Sequence, residues 1–140
     1  MRPRTILITH SDISRLRRLL KSAIHFLRRD RPYLLKLEQE LQTARIVEGD
    51  QIPQDVATLE FRVHIRDLDT GKRMAYQLVF PKDFYAGEDR LSVLAPLGTA
   101  ILGRRAGDVF DCEVPAGVRR LKLEKIEKRT NTSQAVETAA

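Results

Sequence analysis

The sequence predicts an α+β chain in which two amphipathic helices precede a twisted antiparallel sheet with a short helix against one face. Three patterns carry that prediction. Apolar residues recur at three- and four-residue spacing from Ile13 to Ala44, the spacing switches to two at Leu59, and a strand, a short helix and a second strand are compressed between Arg90 and Val114. With 140 residues, the chain has room for one normal domain and a small appendage. Its 42% apolar and 31% charged residues fit a globular protein, and no apolar run approaches the roughly 18 residues of a membrane span. Behind Met1-Arg2-Pro3-Arg4, the run Ile6-Leu7-Ile8 is too short for a secretion signal, so a cytoplasmic protein is expected. Cys112 is the single cysteine and reads as a small buried hydrophobe.

Thr5 to Thr9 suits a short strand or a simple anchor. Ser11-Asp12 then predicts a helix N-cap with an acid in the first turn. Ile13, Leu16, Leu20, Ala23, Ile24 and Leu27 form one seam, and Arg15, Arg17, Arg18 and Lys21 occupy the remaining surface. Pro32 opens a second helix with Leu34, Leu37, Leu41 and Ala44 inward and Lys36, Glu38, Glu40 and Arg45 toward water, which makes an antiparallel hairpin over residues 1–46. Each helix is expected to run about 16 residues, a reach of roughly 24 Å. Gly49, Asp50, Pro53 and Asp55 mark 47–55 as a linker.

From Val56 a strand is expected, with Leu59, Phe61, Val63 and Ile65 inward. Asp67 to Gly71 makes the turn, and Met74, Tyr76, Leu78 and Phe80 return until Pro81. Asp83 to Asp89 reads as an irregular loop. A buried strand around Leu91 and Val93 leads to a two-turn helix starting at Pro96, with Leu97, Ala100 and Ile101 inward and Gly103 as its left-handed cap. Gly107-Asp108 turns the chain into Val109 to Val114, Pro115-Ala116-Gly117 turns it again, and Leu121, Leu123 and Ile126 form a last strand with room for a bulge. Residues 56–128 thus make one sheet domain, and the tail 129–140 is expected to be disordered.

The stretch SVLAPLGTAILGRRAGDVFDCEVPAG, together with the Asp67-Leu68-Asp69-Thr70-Gly71 turn, closely resembles the C-terminal domain of the GreA/GreB transcript-cleavage factors. The resemblance runs from about Pro53 to Ile126. It implies an FKBP-like sheet carrying an N-terminal coiled-coil hairpin, and binding of RNA polymerase at the secondary-channel entrance. Gre factors help bind a metal through acidic residues at a long hairpin tip, and this chain departs from that pattern. Its tip, Arg28, Arg29, Asp30 and Arg31, has one carboxylate among three guanidinium groups, which repels Mg²⁺, and Asp30 serves better as a helix cap. A Gre-like domain on a shortened hairpin, with Ala95 where Gre proteins carry serine, is identified as a member of the regulator of nucleoside diphosphate kinase (Rnk) family. That implies an elongation regulator that competes with Gre factors without stimulating cleavage; separately, a monomer is expected. By the same resemblance Ser92, Leu94, Ala95, Pro96 and Leu97 would meet the polymerase.

No catalytic residue, cofactor or metal is expected. His10, His25 and His64 have no Cys or acidic neighbour at ligand spacing, no glycine-rich loop precedes a helix, and Ser92 lacks a base and an orienter. Two alternatives are weighed. A prolyl isomerase on the same fold needs an aromatic-lined pocket, yet the chain has eight aromatic residues and Phe61, Tyr76, Phe80 and Phe110 fall at core positions. A nucleic-acid clamp draws on the basicity of residues 1–45, which hold eleven Lys/Arg against four Asp/Glu, while residues 46–140 hold fourteen against fifteen. Non-specific nucleic-acid contact is therefore an expectation, with only Phe26 and Tyr33 interleaved to stack on bases.

Overall fold

A computed structural model describes residues 5–27, 32–86, 89–114 and 117–128. The tip residues Arg28, Arg29, Asp30 and Arg31, the Pro115-Ala116 turn and the tail 129–140 lie outside that description. Strand β1 (Leu7–Ile8) leads into α1 (His10–Leu27), followed by α2 (Pro32–Leu41) and β2 (Arg45–Ile46). β3 (Arg62–Asp67), β4 (Arg73–Val79), β5 (Arg90–Ser92), α3 (Pro96–Ile101), β6 (Val109–Val114) and β7 (Gly117–Glu127) follow. Among the described residues no helix is long and apolar enough to cross a membrane.

α1 is capped two residues earlier than expected. The Asp12 amide donates to the Thr9 hydroxyl at 3.2 Å and the Ile13 amide to the Thr9 carbonyl at 2.9 Å, so Thr9 fills the capping role predicted for Ser11. Burial raises the Asp12 carboxyl above its ordinary range, against the lowering effects of Thr9 and Arg15. The helices are unequal, 18 and 10 residues instead of about 16 each, with lengths near 27 and 15 Å. Leu41, at the end of α2, accepts from an Arg17 Nη at 3.3 Å, which sets that end beside the first half of α1. Arg15 also leaves the solvent face assigned to it and lies 4.0 Å from the Phe80 ring centroid.

β1 and β2 pair in parallel at the base of the helices: Arg45 and Val47 amides donate to the Ile6 and Ile8 carbonyls at 2.8 and 3.0 Å. Downstream, a 3-10 turn spans Gly49–Gln51.

The main sheet has the order β5-β4-β3-β7-β6. Its β3–β4, β3–β7 and β6–β7 pairs are antiparallel, but β5 runs parallel to β4, so the sheet is mixed where a wholly antiparallel one was expected. The strand expected from Val56 starts only at Arg62. Val56, Ala57, Thr58 and Leu59 are buried in succession, which no pleated strand with one wet face permits, and Glu60 takes φ 75°. The Asp67 turn forms as read: Oδ1 accepts from the Asp69 and Thr70 amides, and Gly71 takes φ 79°. Pro81–Ala86 is a run of 3-10 turns where an irregular loop was expected. The register of β3 against β7 shifts between His64 and Ile65, so β7 does contain the bulge.

The buried side chains form two clusters. One joins Ile6, Ile8, Leu16, Leu20, Leu34 and Leu37 to Leu78, Phe80, Val93 and Leu102, so the N-terminal helices share a core with the sheet. The other lies beneath α3, where Ile101 meets Val63, Ile65, Phe110, Cys112 and Leu123. Each fully buried Leu, Ile or Phe contributes roughly 1.5–3 kcal/mol. Cys112 sits in this core with its thiol pushed up by burial, as a packing residue does. α3 is pressed against the end of β5 at Gly98, where a Cβ would collide with the Ser92 carbonyl oxygen and lie 3.0 Å from the Val93 Cα.

The opposite face of the sheet carries ion pairs of Arg62 with Asp89 and of Arg73 with Glu124 at 3.1 Å, and a hydrogen bond between His64 and Glu127 at 2.9 Å. The hydrogen bonds from Arg62 and His64 hold Asp89 and Glu127 below their ordinary values of 3.8 and 4.5.

Two outcomes follow from this packing. Gly98→Ala has no room for its methyl between two backbone segments and lowers stability by about 3 kcal/mol, read as a shifted denaturation midpoint; a wild-type midpoint would disprove the close contact. Carboxylates held low stabilise above their ordinary values and lose that contribution as pH falls through the folded values. Stability therefore declines slightly between about pH 5 and pH 2, the exposed pairs being screened, and His64→Ala moves the Glu127 titration midpoint upward by NMR.

Candidate interaction site

The residues Ser92 to Leu97 form an elbow between β5 and α3. Ser92 starts it: its hydroxyl oxygen accepts from the Leu94 amide at 3.1 Å and its carbonyl from the Ala95 amide at 3.0 Å. Ala95 is extended at φ −74° and ψ 153°, the conformation that a following proline imposes, and its carbonyl accepts the first helical bond from Thr99 at 2.9 Å. Pro96 sits at the first helical turn without a donor to lose. The Thr99 hydroxyl returns to the Pro96 carbonyl at 3.0 Å. Every turn of the elbow is thus fixed by hydrogen bonds within the segment from Ser92 to Thr99.

The five residues singled out from the sequence are contiguous but do not share one environment. Pro96 is exposed, and Ser92, Leu94, Ala95 and Leu97 are half-buried. Leu94 packs on the core shared with the helices, while Leu97 packs on the core under α3. Val93, between them, is fully buried. The Leu94 carbonyl accepts from the Tyr33 hydroxyl at 3.2 Å, which ties α2 to the elbow across 61 positions of sequence. Tyr33 was legible only as an aromatic near the tip. Its polar end could have been anticipated from its half-buried place beside a leucine seam, where a phenol needs a partner.

The Ser92 hydroxyl serves the Leu94 amide, and among the described residues no group of three His, Cys, Asp or Glu is placed to hold a metal. His10 is exposed at the start of α1, and His64 pairs with Glu127 on the far sheet face. A groove there, lined by His64, Arg73, Met74, Ala75, Glu124 and Lys125, has no aromatic wall. Phe61, Phe80 and Phe110 are all in the core.

Two family models match end to end: Rnk N-terminus over residues 4–47, and Transcription elongation factor, GreA/GreB, C-term over residues 52–128. The regulator of nucleoside diphosphate kinase of Escherichia coli (strain K12) is 35% identical over 114 residues, which cover 81% of this chain and 82% of that protein. Transcription elongation factor GreA of Thermotoga neapolitana is 38% identical over 98 residues, covering 69% of this chain but 61% of the factor. A solved structure of a prokaryotic transcription elongation factor GreA/GreB from Nitrosomonas europaea has a TM-score of 0.74 at 31% identity, over 91% of this chain and all of the other. With a GreA/GreB C-terminal part behind an Rnk N-terminus, the chain belongs to the regulator of nucleoside diphosphate kinase family of Gre-like transcription elongation proteins.

Proposed function

We propose that this chain binds RNA polymerase at the entrance of the secondary channel and competes there with Gre factors without stimulating transcript cleavage. The sheet part, residues 56–128, is taken as an FKBP-type docking domain, and residues 1–46 as a short coiled-coil hairpin joined to it by 47–55. The observation that carries the reading is the pairing of a GreA/GreB-type sheet with helices of only 18 and 10 residues. At 1.5 Å per residue the longer helix reaches about 27 Å. A tip with one carboxylate, Asp30, beside Arg28, Arg29 and Arg31 supplies no ligand set for a catalytic Mg²⁺. Occupancy without chemistry inhibits by mass action on one shared surface.

Ser92, Leu94, Ala95, Pro96 and Leu97 are the proposed docking residues of the sheet part. Their elbow is ordered by internal hydrogen bonds, so little conformational freedom remains to be lost on binding. The three tip arginines are proposed to meet acidic groups at the channel mouth. The protein acts as a cytoplasmic monomer and is not an enzyme.

Core RNA polymerase with a labelled copy of this chain and a titrated Gre factor tests the reading. Mutual displacement together with suppressed cleavage of stalled transcripts is expected, and retention of both proteins on one polymerase would refute a shared site. Replacing Arg28, Arg29 and Arg31 by Glu weakens polymerase binding by about tenfold at low salt and much less at high salt. Unchanged low-salt affinity would remove the tip from the interface.

A further inference from the structure

β6 is an outer strand of the five-stranded sheet. Its residues alternate: Phe110 and Cys112 point into the core, and Val109, Asp111 and Glu113 are exposed. The pairing with β7 sets Val109 opposite Lys122, Asp111 opposite Arg120, and Glu113 opposite Val118. Arg120 turns its backbone away from Asp111, since its carbonyl accepts from the Leu68 amide at 2.9 Å and its amide donates to Asp69 Oδ2 at 3.4 Å. Asp111 and Arg120 are therefore a pair that exchanges no backbone hydrogen bond, and in an antiparallel ladder such pairs alternate with bonded ones. By that alternation the N–H and C=O groups of Val109, Asp111 and Glu113 point out of the sheet edge. Among the described residues none of these six groups has a backbone partner outside the ladder, and only the Glu113 carbonyl has a side-chain contact, the Cys112 thiol at 3.8 Å.

We propose that this edge is a strand-addition site for an extended segment that carries basic residues beside an apolar one. The backbone supplies a row of unpaired donors and acceptors, the usual basis for strand addition. The side chains set the chemistry. Val109 is 43% exposed and Val118 60%, and together they bracket the two carboxylates on the outer face. Asp111 already has Arg120 at 3.3 Å, while Glu113 has no ion pair among the described residues. A lysine or arginine opposite Glu113 completes that pairing, and an apolar residue covers Val109.

The same carboxylates turn away a second copy of the chain. An antiparallel register that uses all the outward groups sets Asp111 against its own copy and Val109 against Glu113, and the next register sets Asp111 against Glu113. Like charges directly opposite are unfavourable, so the edge is guarded against self-pairing while it stays open to a basic strand.

The test uses the isotope-labelled full chain and two capped peptides, Thr-Lys-Thr-Lys-Thr-Val-Thr and Thr-Glu-Thr-Glu-Thr-Val-Thr. The lysine peptide is expected to shift and slow the exchange of the Val109, Asp111 and Glu113 amides, and to bind about tenfold more tightly than the glutamate peptide. Glu113→Lys is expected to reverse that preference, and the isosteric Glu113→Gln, which leaves the fold intact, to weaken the lysine peptide by about threefold. If those amides stay unaffected at about millimolar lysine peptide, or both peptides bind alike, the assignment of this edge is overturned.

Discussion

The close approach of Gly98 to the Ser92 carbonyl is the constraint on which the rest of the molecule depends. Any side chain at that position would lift α3 off the end of β5. α3 sends Ile101 into the core beneath it, while Leu102, next in the chain, belongs to the core shared with the N-terminal helices. The six-residue helix and the Leu102 that caps it therefore close two apolar clusters at once. Gly103 completes the junction at φ 85°, where a Cβ would come within 2.9 Å of Ile6 Cγ1. Two glycines thus let three backbone segments meet more tightly than side chains allow.

The elbow between Ser92 and Leu97 takes its rigidity from the same contact. Its turns are fixed by Ser92 and Thr99, its floor by Val93, and its flank by Tyr33 from α2. A surface held this way presents Pro96 and the neighbouring half-buried apolar residues in one geometry. Rigid presentation of that kind favours recognition of a preformed partner. The tyrosine adds a link between the elbow and the start of α2.

The parts of the fold most legible in the sequence were those governed by local chemistry. Asp67 to Gly71 announces its turn through an aspartate that accepts from two amides and a glycine at positive φ, and Pro96 and Gly103 bracket α3 for equally local reasons. What stayed hidden depends on distant partners. Val56 to Phe61 has the apolar content of a strand, but the Ala57 amide bonds to Arg104 and the Glu60 amide to Leu78, which bend it into a buried turn. The parallel pairings of β1 with β2 and β4 with β5 leave no spacing signal, because each is only two or three residues long. Thr9 displaced Ser11 as cap because both can accept and only the Ile8 strand end fixes where the helix starts. At the elbow the order of residues was legible, whereas the Tyr33 tether was not.

β1 and β2 lie side by side and point the same way, one entering the helices and the other leaving them. The chain thus departs from and returns to a single clasp, and whatever lies between is a loop hung from a fixed hinge pin. Turns inserted in register beyond Ile24 and before Tyr33 would lengthen both helices without disturbing the clasp, the Tyr33 tether or the shared core. Length is in this sense separable from the rest of the architecture, because the clasp and the sheet behind it are built without the far ends of the helices.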